Sequence, residues 1–173
     1  LKSINTRTVV IGFESGSDKI IRYLKKNMGM EDNNNALRLC KQFDFKIIGS
    51  FVIGSPIETI DDMKETFSFI KNSYIDSPSV FIATPFPGTY FWSYLVENKI
   101  IDKNFCKWEL LSIYSDFTNT KKMKENIYEL YDNKVLLLNK SVNIKDFMGI
   151  YLEICSYIEE FKINYHKENR AVN

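Results

Sequence analysis

Apolar residues in this chain gather in two kinds of stretch: short unbroken runs, and longer segments in which they recur every three or four positions. Val9, Val10, Ile11 and Phe13 form a run of the first kind, which predicts a parallel strand covered on both faces over Thr8–Phe13. "KIIGSFVI", Lys46 to Ile53, predicts the second strand, and "SVFIA", Ser79 to Ala83, the third. Between the first two, Ile20, Ile21 and Leu24 share one helical face after a cap at Ser17 or Asp18, with Asn27 and Gly29 as the stop. After Glu31 and Asp32, helical spacing of Ala36, Leu37, Cys40 and Phe43 makes Cys40 a core residue rather than a ligand. Thr59 and Asp62 form a T-x-x-D helix start that places Met63, Phe67 and Ile70 on one face. A further helix begins near Tyr90.

Strand, loop and helix thus recur three times at about 30 to 40 residues per unit, the spacing of right-handed βα units on a parallel sheet. The expected class is α/β. Beyond Ile101 the pattern changes. Asn104 to Thr118 is aromatic-rich and irregular, and two packing helices follow. Met123, Ile127, Leu130 and Tyr131 line the first; Ile144, Phe147, Tyr151, Ile154, Ile158 and Phe161 line the second. Tyr165 onward reads as a frayed tail.

Composition narrows the function. With 173 residues, 45% hydrophobic and 14% aromatic, the chain holds enough apolar side chain for one packed core. Lys and Arg number 23 against 22 Asp and Glu, so no net field recruits nucleic acid or anionic lipid. No apolar stretch approaches the roughly 20 residues of a membrane span, and the N-terminus lacks a signal-peptide layout. The expected location is cytoplasmic. Cys40, Cys106 and Cys155 lie far apart with no paired spacing, as reduced thiols do. The one histidine, His166, sits in a polar tail, which argues against Ser/His or Cys/His nucleophile chemistry.

Ligands of parallel α/β folds sit where strands end, because the loops converge there. Three polar or Gly/Pro-rich segments fall at such ends: "ESGS", "GSPIE" and "TPFPGT". Glu14 follows a buried run directly, so its carboxylate needs a partner, which ribose hydroxyls or an ammonium group would supply; capping of the next helix is the structural alternative. Gly54 and Pro56 relax and stiffen a turn, and Glu58 reads at least as readily as a helix N-terminal charge as it does as a catalytic group. In "TPFPGT" the prolines beside Thr84 and Phe86 remove two N–H donors and leave carbonyls for a ligand edge such as an adenine amino group, or else build a rigid corner.

In this order, "IGFESGSDKIIRYLKKN", "KIIGSFVIGSPIET" and "VFIATPFPGTYFW" resemble the second half of the radical S-adenosylmethionine barrel, most closely the subgroup that often carries an upstream cobalamin-binding domain. The resemblance covers about Thr8 to Trp92. It implies a partial TIM-like (β/α) barrel fragment over residues 1–100, with strands four to six of six, and a mostly helical extension over 101–173. It implies cofactor-binding roles for Glu14 and Ser15 beside the ribose and methionine, for Val52, Ile53 and Gly54 supporting the adenine, and for Thr84 and Phe86 on the third strand end. Two departures stand out. Gly49 and Gly54 are one residue further apart than in the family motif, and Ile57 replaces a glycine.

The family's C-x-x-x-C-x-x-C loop, which holds the 4Fe–4S cluster, is absent from the sequence, and the expected place for it is upstream of Leu1. What the resemblance implies for the parent protein is therefore reductive cleavage of S-adenosylmethionine at that cluster to start radical chemistry on an unknown substrate, with cobalamin-dependent methyl transfer as an option. This chain would supply the cofactor-binding half, be inactive alone, and have the N-terminal half of the barrel as its partner. The alternative is a non-catalytic half-barrel that binds or docks. Arg22 reads as a surface arginine or a cofactor-carboxylate partner, and Trp108 as a mouth cover or a core residue.

Overall fold

A computed structural model of the chain describes residues 3, 5–24, 27–107 and 137–170, with side chains as far as residue 163. Three strands, β1 (Thr8–Glu14), β2 (Lys46–Ile53) and β3 (Ser77–Ile82), form an open parallel sheet in the order β1-β2-β3. Helices α1 (Asp18–Tyr23) and α2 (Met30–Gln42) link β1 to β2, α3 (Ile60–Asn72) links β2 to β3, and α4 (Tyr90–Glu97) follows β3. A long helix, α5 (Ile144–Arg170), packs on α3 and β3. Because all three strands run the same way, Glu14, Ile53 and Ile82 end on one margin of the sheet.

Alternation along β2 sorts its faces: Ile47, Gly49, Phe51 and Ile53 are buried, while Lys46 and Ile48 are exposed and Ser50 and Val52 half-buried. On the buried side, Phe13, Phe51, Met63, Phe67, Ile70 and Val80 meet Phe147, Met148, Tyr151 and Ile154 of α5 in one core. Phe13 and Phe51 stack with centroids 5.6 Å apart, and Phe69 meets both edge-on. Gly49 makes room for this, since a Cβ there would lie 2.9 Å from Ile75 Cγ2 and 3.1 Å from Phe13 Cδ2. Among the described residues the other face is open. Val10 is 73%, Phe81 47% and Ile48 39% exposed. The run in β1 was expected to be covered on both sides, and among the described residues helices cover only one.

Boundaries differ from the sequence expectation where local chemistry is double-edged. β1 extends one residue further, to Glu14, and β3 starts at Ser77 and stops before Ala83. Pro78 is tolerated within β3 because that strand pairs on one side only among the described residues. Gly29 does not stop α1, which ends at Tyr23 with Leu24 as its C-cap; it is the N-cap of α2, its N–H donating to Asp32 Oδ2 at 2.8 Å. Phe43, placed on the core face of α2, is 49% exposed. The backbone stays helical past Tyr165 to Arg170. Trp108 and the segment of Met123, Ile127, Leu130 and Tyr131 expected to be helical lie outside the described residues, as does the side chain of His166.

Candidate functional site

The first strand end is built around a bulge. Gly12 pairs with Ser50 and Glu14 with Phe51, so Phe13 is passed over in the ladder. Glu14 then takes φ 65°, a left-handed value rare for a residue with a side chain, and the Ser15 N–H donates to the Phe13 carbonyl at 2.8 Å. That is a γ-turn of the strained, positive-φ kind, centred on the carboxylate residue. Asn33, 1% exposed on α2, donates its Nδ2 to the same Phe13 carbonyl at 3.0 Å and to the Ser15 carbonyl at 3.4 Å. Glu14 itself is half-buried.

Beyond Glu14 the loop is fastened to α3. Gly16 lies so close that a Cβ there would sit 2.6 Å from Thr66 Cα and 2.7 Å from the Glu65 carbonyl. Thr66 Oγ1 accepts from the Gly16 N–H at 3.0 Å and shares a 2.9 Å hydrogen bond with the Ser15 hydroxyl. Ser15 Oγ in turn accepts from the Ser17 N–H at 3.0 Å. With 0% exposure, the Ser15 side chain works inside the loop. Ser17, the α1 N-cap, makes no side-chain cap; its hydroxyl donates to Asp62 Oδ1 at 2.9 Å.

Asp62 is the hub. Its Oδ2 accepts from Lys19 Nζ at 2.6 Å and from the N–H and hydroxyl of Thr59 at 2.8 and 2.6 Å, while the Asp62 N–H returns a bond to Thr59 Oγ1. The expected T-x-x-D capping box is therefore present, and it also carries the first loop. Burial raises the carboxyl's pKa, but the bonds from Lys19, Thr59 and Ser17 outweigh it and hold the group down at about 2.

The second strand end closes on itself. Gly54 takes φ 88°, and a Cβ there would meet the Phe147 ring at 3.0 Å. Glu58 Oε2 accepts from the N–H groups of Gly54 and Ser55, at 2.6 and 3.0 Å. Asn139 donates to the Glu58 carbonyl at 2.9 Å, tying the turn to the approach to α5. Glu58 is completely buried, and its Oε1 has no hydrogen-bond partner among the described residues. Desolvation dominates, lifting its pKa to about 7 although the two backbone donors pull the other way. It lies ahead of α3 as a loop clamp rather than a helix-end charge. Ile53, adjacent, turns its side chain into the core and its carbonyl accepts from Ala83, while Val52 is half-buried against the cluster of Ala83 and Leu95.

At the third end, Thr84 Oγ1 donates to the Ile82 carbonyl at 3.1 Å. The Phe86 carbonyl, expected to meet a ligand, already accepts from the Thr89 N–H and hydroxyl at 3.0 and 2.6 Å. Its ring is 62% exposed. Tyr23 of α1 and Tyr90 of α4 meet edge to face with centroids 6.0 Å apart, so the helices that follow the first and third strand ends come together. Burial together with the neighbouring Tyr90 and Tyr94 raises the Tyr23 pKa. Arg22 settles as a surface residue, paired at 2.6 Å with Asp18 one turn earlier.

The cysteines do not fit an iron–sulfur cluster. Cys40 and Cys155 are buried on α2 and α5, Cys106 is exposed, and no metal-ligand cluster occurs among the described residues. Burial raises the Cys155 thiol to about 11, the opposite of a thiolate ligand. Asn33, Asp62 and Thr66 were not singled out from sequence as site residues. The signal was there: all three are polar residues on the buried faces of otherwise amphipathic helices.

No protein-family profile matches the chain. Individual relatives do. A protein of Pyrococcus horikoshii named as an uncharacterized methyltransferase is 35% identical over 58% of this chain and 22% of its own length. A putative methylthiotransferase of Methanocaldococcus jannaschii is 39% identical over 51% of this chain and 20% of its own. The bacteriochlorophyllide d C-8(2)-methyltransferase of Chlorobaculum tepidum is 24% identical over 95% of this chain and 40% of its own length. The chain thus spans about a fifth of the first two relatives and two fifths of the third. Likeness to methyltransferases and methylthiotransferases supports the general radical S-adenosylmethionine class that the motifs resemble. No described helix is long and apolar enough to cross a membrane.

Proposed function

We propose that this chain is the cofactor-binding half of a radical S-adenosylmethionine enzyme, and that the parent protein cleaves S-adenosylmethionine reductively to act on a substrate of its own. The observation that carries the reading is the convergence of three loops at one margin of a parallel sheet. One of them holds a carboxylate residue in a strained turn that packing alone does not require.

In this reading Glu14 meets the ribose and methionine part of the ligand, and Ser15 holds the turn from beneath. Val52 and the backbone beside Ile53 and Gly54 form the adenine support, Thr84 lines the third side, and the exposed Phe86 ring offers a stacking face. S-adenosylmethionine bound to a reduced 4Fe–4S cluster would supply the radical chemistry, and the cluster's ligands would come from the N-terminal half of the barrel. This chain's part is to bind, orient and exclude water.

The open apolar face of Val10, Ile48 and Phe81 supports such a partner. So does a groove of about 600 Å³ lined by Val9, Ile11, Leu39, Cys40 and Phe43 beside β1. The assembled protein acts in the cytoplasm without nucleic acid or membrane as a binding surface. Methyl transfer is the favoured subtype because a relative that matches 95% of this chain is named a methyltransferase.

Reduced anoxically, the full-length parent is expected to carry iron and to release 5′-deoxyadenosine. Iron-free protein that leaves S-adenosylmethionine intact refutes the assignment. The second reading, a non-catalytic docking half-barrel, rests on the same open face and predicts no ligand response at the strand ends.

A further inference from the structure

We propose that Asn33 is a positioning residue for Glu14, holding the strained turn that presents the carboxylate at the first strand end; this rests on the ligand-binding reading of Glu14. The two Nδ2 hydrogens of Asn33 go to the carbonyls of Phe13 and Ser15, the residues immediately before and after Glu14. With two carbonyl oxygens as partners, the side-chain amide can face them only with its NH₂ end. The Phe13 carbonyl, passed over by the ladder, thereby has both lone pairs occupied, one by Asn33 and one by the γ-turn bond from Ser15.

A left-handed residue that carries a side chain relaxes toward the extended region unless its surroundings over-determine it. Thr66 and Gly16 fix the loop after the turn, and the ladder to β2 fixes the strand before it. Among the side-chain hydrogen bonds of the described residues, those of Asn33 reach both sides of Glu14. Its own place is secure, 1% exposed on the first turn of a thirteen-residue helix, on the face that also carries Leu37 and Cys40. Such an amide is expensive to bury and would be replaced by an aliphatic side chain if packing were its whole task.

The test uses the full chain, isotopically labelled, with S-adenosylhomocysteine as the probe. Asn33→Asp keeps the size but loses both donors. We expect it to change the three-bond HN–Hα coupling and the Cα shift of Glu14 while the resonances of β2 and α3 hold. Probe binding should weaken about tenfold or more, and Glu14→Gln combined with N33D should bind no worse than E14Q alone. A glycine accepts φ 65° without strain, so the drop in denaturation midpoint caused by N33D should be at least halved in an E14G background. That comparison decides the matter even if N33D folds too weakly for spectroscopy. An unchanged Glu14 coupling in N33D, or a midpoint drop undiminished by E14G, overturns the proposal. A wild-type chain that ignores the probe refutes the ligand reading instead, and leaves the coupling and midpoint results to decide the role of Asn33.

Discussion

Glu58 Oε2 accepts a hydrogen bond from the backbone N–H of Gly54 at 2.6 Å, closing a turn whose glycine sits at φ 88° beneath the Phe147 ring. A completely buried carboxyl thus carries the second strand end, and its pKa is raised to about 7 by burial. The sign follows from linkage. A carboxyl whose pKa is higher folded than unfolded stabilises the fold fully below about pH 4.5, and that contribution is lost as pH rises to about 7. The shift corresponds to about 3 kcal/mol. Denaturant unfolding is expected to show the chain less stable at pH 8 than at pH 5, with E58Q flattening the difference. An E58Q variant with unchanged pH dependence would remove Glu58 as its source.

Glycines 16 and 88 give a contrast that separates close packing from backbone strain. At Gly16 an added Cβ collides with the backbone of α3, which has little freedom to move, so Gly16→Ala is expected to cost about 2–3 kcal/mol. Gly88, at φ 84°, has nothing within 4 Å of that position, and Gly88→Ala should cost only about 1 kcal/mol of conformational strain. Equal unfolding midpoints for the two variants would contradict the fastening of the first loop to α3.

Thr66→Val keeps the shape and deletes the hydroxyl that serves both Ser15 and Gly16. With the buried Ser15 hydroxyl and the Gly16 N–H deprived of a partner, a loss of about 1–3 kcal/mol is expected, together with faster amide exchange at residues 15–17. Exchange that speeds only within α3 would show that Thr66 serves its own helix.

Much of this arrangement is legible in the sequence. The bounds of β2 are legible because "KIIGSFVI" is fenced by Asp44 and by Gly54, and the Thr59–Asp62 cap, which begins four residues ahead of the apolar stripe at Met63, announces α3. What misled was chemistry with two uses. Gly29 follows one helix and precedes another, and only the second role is real. The Val9–Ile11 run suits a strand covered on both sides, yet burial depends on what else is present, and Val10 is exposed among the described residues.

The site was legible as far as its loops. "ESGS" points to a ligand or a cap: Ser17 takes the N-cap position of α1 without a side-chain cap, Ser15 and Ser17 bond inward to Thr66 and Asp62, and Glu14 is the half-buried acidic group at the tip. The side chains that hold it come from elsewhere in sequence, twenty residues on at Asn33 and about fifty on at Thr66. No local pattern reports such distances. A polar residue set among Met63, Phe67 and Ile70, or one helical step from Leu37, is the trace they leave.

On the proposed reading, the face of Val10, Ile48 and Phe81 distinguishes the chain alone from a full-length parent. In the isolated chain Val10→Asp is expected to leave stability within about 0.5 kcal/mol, as at an exposed position. In the full-length parent the same substitution buries an unpaired charge and should lower the melting temperature clearly. Equal effects in the two proteins would argue against a partner on this face.

The most direct measurement is a backbone amide titration of the labelled chain with S-adenosylhomocysteine at millimolar concentration. Shifts confined to Glu14 and Ser15, Val52 to Gly54, and Thr84 to Phe86 are the predicted result. Shifts gathered at the opposite ends of the strands, or no shifts at all, would contradict the claim that these three loops form one nucleoside site.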